Sequence, residues 1–65
     1  MKYKQFDVVV LTEDIEEYDL KEGTVGTIVD VYTKPEGYEI EFFDENGKEI
    51  MNIGILESQI LPYKG

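Results

Sequence analysis

The sequence contains no cysteine, no histidine, no tryptophan and no arginine. Without Cys or His there is no disulfide staple, no thiolate nucleophile, no imidazole base and none of the usual zinc ligands. The remaining acid, base and nucleophile repertoire is carboxylates, lysines and hydroxyls, so we expect no enzymatic activity and no cofactor. Six Lys face fifteen Asp and Glu, for a formal net charge of −9. Gripping nucleic acid requires Lys and Arg to neutralise phosphates, so direct nucleic-acid binding is disfavoured. Long apolar runs are missing too. The longest, Val8 to Leu11 and Ile53 to Leu56 around Gly54, are far too short to cross a bilayer. Met1-Lys2-Tyr3-Lys4 leads into no signal-peptide core. The expected setting is the cytoplasm, with no membrane association.

Length limits what is left. A chain of 65 residues makes one domain, here residues 1–65, and a domain of that size buries only about 60% of the surface its unfolded chain exposes. An enclosed active site is therefore not expected. Hydrophobic residues make up 42% of the chain and charged residues 32%, a balance that folds rather than stays disordered.

What is present reads as strands punctuated by turns. Asp7 to Leu11 is apolar and β-branched, and it ends where Thr12 opens an acidic stretch. Glu22-Gly23 breaks the chain. Residues 25–32 resume with strand propensity, and Gly26 marks a bulge or a close backbone approach. Thr33-Lys34-Pro35-Glu36-Gly37 turns the chain into a strand over 38–43, whose Tyr38-Glu39-Ile40-Glu41-Phe42 alternates apolar and acidic. Asn46-Gly47 is a strong hairpin signal and leads into a strand over 48–55 with Met51, Ile53 and Ile55 on one side. Residues 56–60 suit a single 3₁₀ turn before a short edge strand over 61–63. The expected core is Val8, Val10, Val25, Val29, Val31, Ile40, Phe42, Ile53 and Ile60. The fold class is all-β. Strand, long first loop, three strands on short turns, 3₁₀ turn and last strand is the order of a small five-stranded SH3-like barrel.

Phe6 to Asp14, Leu20 to Val29, Tyr38 to Phe42 and Gln59-Ile60-Leu61-Pro62 together resemble the small bacterial proteins grouped as domain-of-unknown-function family 4926. The matching motifs are turn glycines and core apolar residues, so the resemblance supports the barrel and transfers no catalytic residue. It further implies one half of a two-gene unit, sometimes beside a small toxin-like partner.

The most distinctive stretch is Thr12 to Gly23, TEDIEEYDLKEG, where Glu13, Asp14, Glu16, Glu17, Asp19 and Glu22 surround one cation, Lys21. Ile15, Tyr18 and Leu20 are the expected anchors, with the carboxylates pointing to water. The loop is either a solvated rim that keeps the protein soluble or a docking surface for a basic protein. Glu13, Asp14 and Glu17 offer oxygen ligands for loosely held Ca²⁺, but the spacing is not that of an EF-hand, and we assign no metal site. Asp44-Glu45-Asn46-Gly47 reads as a turn. Glu39 and Glu41 share one face of a strand, as expected of exposed alternate positions, and nothing supplies the cleft of a glycosidase. Gly23-Thr24-Val25-Gly26-Thr27 lacks the Lys and the helix of a phosphate-binding loop. Tyr18 and Pro62-Tyr63 resemble the polyproline groove of SH3 domains, but that groove is walled by Trp, which is absent.

Two functions follow as expectations. One is a small acidic module, of antitoxin or immunity type, that docks on a basic partner protein through Glu13, Asp14, Glu16, Glu17, Tyr18, Tyr32 and Tyr63. The other is an accessory structural subunit of a larger enzyme or redox assembly.

Overall fold

The computed structural model describes residues 2–65; Met1, and with it the start of the segment tested for a signal peptide, lies outside them. The strands are β1 Val8–Leu11, β2 Val25–Thr33, β3 Glu36–Phe43, β4 Glu49–Ile55 and β5 Ile60–Pro62, with 3₁₀ turns at Glu16–Tyr18 and Glu57–Gln59. They form one antiparallel sheet in the order β4-β3-β2-β1-β5. Consecutive strands β1 to β4 are neighbours, and the 3₁₀ turn Glu57–Gln59 carries the chain back to the far side of β1. Among the described residues no ladder joins β4 to β5, so the sheet has two edges.

Turn chemistry places the boundaries. Asp44 Oδ1 accepts the amides of Asn46 and Lys48, both at 2.9 Å, while Gly47 takes φ of +80°, which a residue without Cβ adopts at no steric cost. At the other hairpin β2 and β3 run further than expected, to Thr33 and from Glu36, leaving only Lys34-Pro35 between them. Gly26 is a close approach: a Cβ there would sit 2.5 Å from Ile40 Cγ2 and 2.9 Å from the Glu41 carbonyl. The irregularity in the β2–β3 register falls later, between Ile28 and Asp30.

The core contains Tyr3, Val9, Leu11, Leu20, Ile28, Tyr38, Ile40, Phe42, Ile55 and Ile60, with Ile15, Val31, Met51 and Ile53 packed against it. Ile40, Phe42 and Ile60 are buried as expected, and Met51, Ile53 and Ile55 do share a side. Val8, Val10, Val25 and Val29 are corrections. Val8 is exposed and the other three are half-buried, because Val9 and Leu11 on β1 and Gly26 and Ile28 on β2 take the inward positions. Strand side chains alternate with period two, so an assignment displaced by one residue moves every side chain to the other face.

Candidate functional site

The long first loop is built rather than loose. Ile15 and Leu20 form a two-residue bridge closed by the 3₁₀ turn Glu16–Tyr18, and Asp19 ends that turn with φ of +55°. Leu20 is buried and Ile15 packs on the core, so two of the three expected anchors hold the loop, whereas Tyr18 is exposed. Asp14 does not simply point to water: its Oδ1 accepts the Glu22 amide at 2.8 Å and closes the neck of the loop. Gln59 stitches the loop to the second 3₁₀ turn. Its carbonyl accepts the Thr12 amide at 2.9 Å, its side-chain oxygen accepts the Leu56 amide at 3.0 Å, and its Nε2 donates to Glu13 at 3.4 Å. Glu16 and Glu17 remain exposed and carry no ion pair among the described residues. Among the described residues Lys21 pairs only with Asp19, at 3.9 Å on the open surface.

A groove of about 370 Å³ opens beside the neck of this loop, lined by Glu22, Gly23, Thr24, Val25, Phe43, Asp44, Glu45 and Ile50. Its lining combines the apolar Val25, Phe43 and Ile50 with three carboxylates. Val25 faces Val10 on one side and Phe43 on the other, and Val10 faces Leu61, so an apolar row crosses the outer face of the sheet from β5 to β3. The sequence shows the acidic loop and the Asp44-Glu45 turn as separate features more than twenty residues apart. Folding brings Glu22 and Glu45 into the lining of one groove.

The expected site residues do not all meet. Glu13, Asp14, Glu16, Glu17 and Tyr18 share the loop. Tyr32 lies seven residues along β2 from Val25, up to about 23 Å of strand, and its hydroxyl donates to Glu39 at 3.0 Å across the β2–β3 ladder. That bond raises the Tyr32 phenol above its ordinary pKa. Tyr63 follows β5 and donates its amide to the Val8 carbonyl. Neither Tyr18 nor Tyr63 lines the groove at the loop neck or a second one, of about 240 Å³, between the 34–37 turn and Leu56. Glu13, Asp14 and Glu17 do not gather as a metal site; no group of three candidate ligands converges among the described residues. Glu39 and Glu41 line neither groove. Thr24 donates its hydroxyl to the Lys21 carbonyl at 2.6 Å, a turn contact.

Two features escaped sequence reasoning. The first is a network under the amino-terminal segment: the Tyr38 hydroxyl accepts the Tyr3 amide at 3.1 Å and donates to Glu57 at 2.5 Å, and Glu57 also accepts the Lys2 amide at 3.0 Å. The Tyr3 and Tyr38 rings meet edge to face with centroids 5.6 Å apart. The Tyr38 bond, helped by the Lys2 amide, lowers the Glu57 carboxyl below its ordinary pKa, while burial and the same carboxylate raise the Tyr38 phenol. The second is the pair Glu41 and Glu49, which face the same outer side of neighbouring strands. Burial, then the charge of Glu49, raise the Glu41 carboxyl.

The segment that carries these elements, from the turn before β1 to the end of β5, is also the segment recognised by comparison: the family model described as Domain of unknown function (DUF4926) matches residues 5–62. The chain belongs to that family. The DUF4926 span includes the loop, both acidic stretches and the groove between them. No curated protein and no solved structure matches the chain. Among the described residues, no helix is long and apolar enough to cross a membrane.

Proposed function

We propose that this DUF4926 protein is a small acidic protein-binding module that docks on a basic partner protein, in the manner of an antitoxin or immunity protein of the cytoplasm. The observation that carries this reading is the groove at the loop neck, whose lining brings the apolar Val25, Phe43 and Ile50 together with the carboxylates Glu22, Asp44 and Glu45. An apolar lining with carboxylates suits a partner segment that offers an apolar anchor flanked by Lys or Arg, and the net charge of −9 speeds the approach of such a partner. The strand order, the long loop after β1 and the 3₁₀ turn before β5 support reading the sheet as an SH3-like barrel whose seam lies between β4 and β5.

The test is binding kinetics at two salt concentrations, with the protein that co-purifies from the native host. Glu13, Glu16 and Glu17 are changed together to Gln, and Asp14 is left in place because it braces the loop. Association should slow by roughly threefold to tenfold and lose part of its salt dependence. An unchanged association rate would return the loop to a solvated rim. Val25→Ala should act instead on the lifetime of the complex.

A further inference from the structure

The two edges of the sheet are not alike. β5 has three residues and ends in Pro62, which has no amide to donate, so that edge is short and blunted. β4 has seven residues, and after its first, Glu49, the sequence IMNIGI has neither charge nor proline. Its one ladder is with β3. Among the described residues, the main-chain groups of 49–54 make no hydrogen bond beyond that ladder. Such a strand is a template for another chain, and proteins ordinarily guard it with Lys, Pro or a covering loop. Among the described residues, β4 holds no Lys and no Pro, and its register shift against Phe42 and Phe43 falls at its beginning, before Asn52 to Ile55.

Charge indicates which chain the edge accepts. On the outer face, Glu41 of β3 sits opposite Asn52 of β4, and Glu49 lies close by on β4 itself. No ion pair relieves either glutamate among the described residues. Ile50, in the same strand, forms part of the groove lining. A second copy would bring its own charge of −9 and is repelled, whereas a basic strand is attracted. We propose that the free edge of β4 accepts an extended strand from the basic partner, whose Lys or Arg side chains lie on the outer face against Glu41 and Glu49. This rests on the protein-binding reading and specifies its mode, main-chain pairing for affinity and outer-face cations for choice of partner.

The probe is a seven-residue synthetic peptide of alternating valine and lysine, with both ends blocked, matched in length to β4. Two control peptides are used, one with glutamate in place of lysine and one N-methylated at alternate residues on the pairing edge. Amide exchange and chemical-shift changes are read residue by residue on the intact protein. The lysine peptide should slow exchange at every second amide between Glu49 and Gly54, the set that faces outward, and both controls should fail to do so. Asn52→Lys, at an exposed position, should leave the unbound spectrum native and weaken the lysine peptide about tenfold. Binding that perturbs only the acidic loop and the groove would overturn strand addition while leaving the protein-binding reading intact. Equal binding of the N-methylated peptide, or no binding of the lysine peptide at all, would also overturn it. Concentration-dependent dimers with the same protected amides would assign the edge to a second copy instead.

Discussion

Glu57 and Glu41 are both glutamates at the margin of the core, and their proton affinities have moved in opposite directions. Glu57 accepts the Tyr38 hydroxyl and the Lys2 amide, so its charge fastens β3 and the second 3₁₀ turn to the amino-terminal segment. Glu41 has Glu49 for a neighbour, on a face where no cation among the described residues pairs with it. The same difference separates the two sides of the sheet. The inner side has Val9, Ile28, Tyr38, Ile40 and Phe42 fully enclosed, whereas the outer side leaves Val8, Leu61 and Ile50 exposed, Ile50 beside the carboxylates of the groove. Charge that is matched within the chain serves the fold. Charge that is left unmatched beside exposed apolar surface is available to a partner.

The largest test of this contrast uses two adjacent phenylalanines. Phe42→Ala, on the inner side, should cost roughly 3 to 5 kcal/mol in urea denaturation, most of what so small a domain has. Phe43→Ala, on the outer side, should cost about 1 to 2 kcal/mol. Equal losses would mean that the outer face is a second core. Tyr38→Phe keeps the ring and removes the hydroxyl that joins the Tyr3 amide to Glu57, and should cost about 1 to 3 kcal/mol by the same measurement.

The two glutamates should also separate in acid. Glu57 has a lowered folded pKa, so its contribution is present above the unfolded carboxylate value and is lost as pH falls through the folded one. Glu41 has a raised folded pKa, so its contribution is present below the unfolded value and is lost as pH rises through the folded one. Urea midpoints measured across the acid range should therefore fall less steeply toward low pH for Glu57→Gln than for the parent. For Glu41→Gln they should fall more steeply, with a gain at neutral pH. Matching profiles for the two variants would erase the distinction. The smallest expected effect is a rise in Tm of a few degrees between low and moderate salt, because fifteen carboxylates have only two ion pairs among the described residues. A flat trend would mean that repulsion on the outer face is weaker than the contrast requires.

Element type was legible for the five strands and the second 3₁₀ turn because each of those boundaries carries its own chemistry, whereas the 3₁₀ turn Glu16–Tyr18 inside the acidic loop was not foreseen. Asn46-Gly47, the Pro35 turn, the Glu22-Gly23 break and the 3₁₀ turn at residues 57–59 fall where local residues place them. Strand ends differ from expectation by one or two residues. Which face of β1 points inward was not legible. Val8-Val9-Val10-Leu11 is apolar at every position, so period-two alternation carries no information there, and the choice of Val9 and Leu11 was made by pairing with Gly26 and Ile60. Tyr38 reads equally as an exposed or a buried tyrosine until Glu57, nineteen residues away, supplies the acceptor that lets its hydroxyl leave water.

For the site, the amino-acid sequence by itself determined the sign of the charge, the lack of cysteine, histidine and arginine, and the two acidic stretches. Their meeting around Val25, Phe43 and Ile50, the internal use of Asp14 and Glu57, the isolation of Glu41 with Glu49 and the open edge of β4 were decided only in three dimensions. The reason is physical. Composition and turn propensity act within a few residues, whereas a groove, a like-charge pair or a free edge depends on which strands lie side by side, and that is set by burial of the whole core at once.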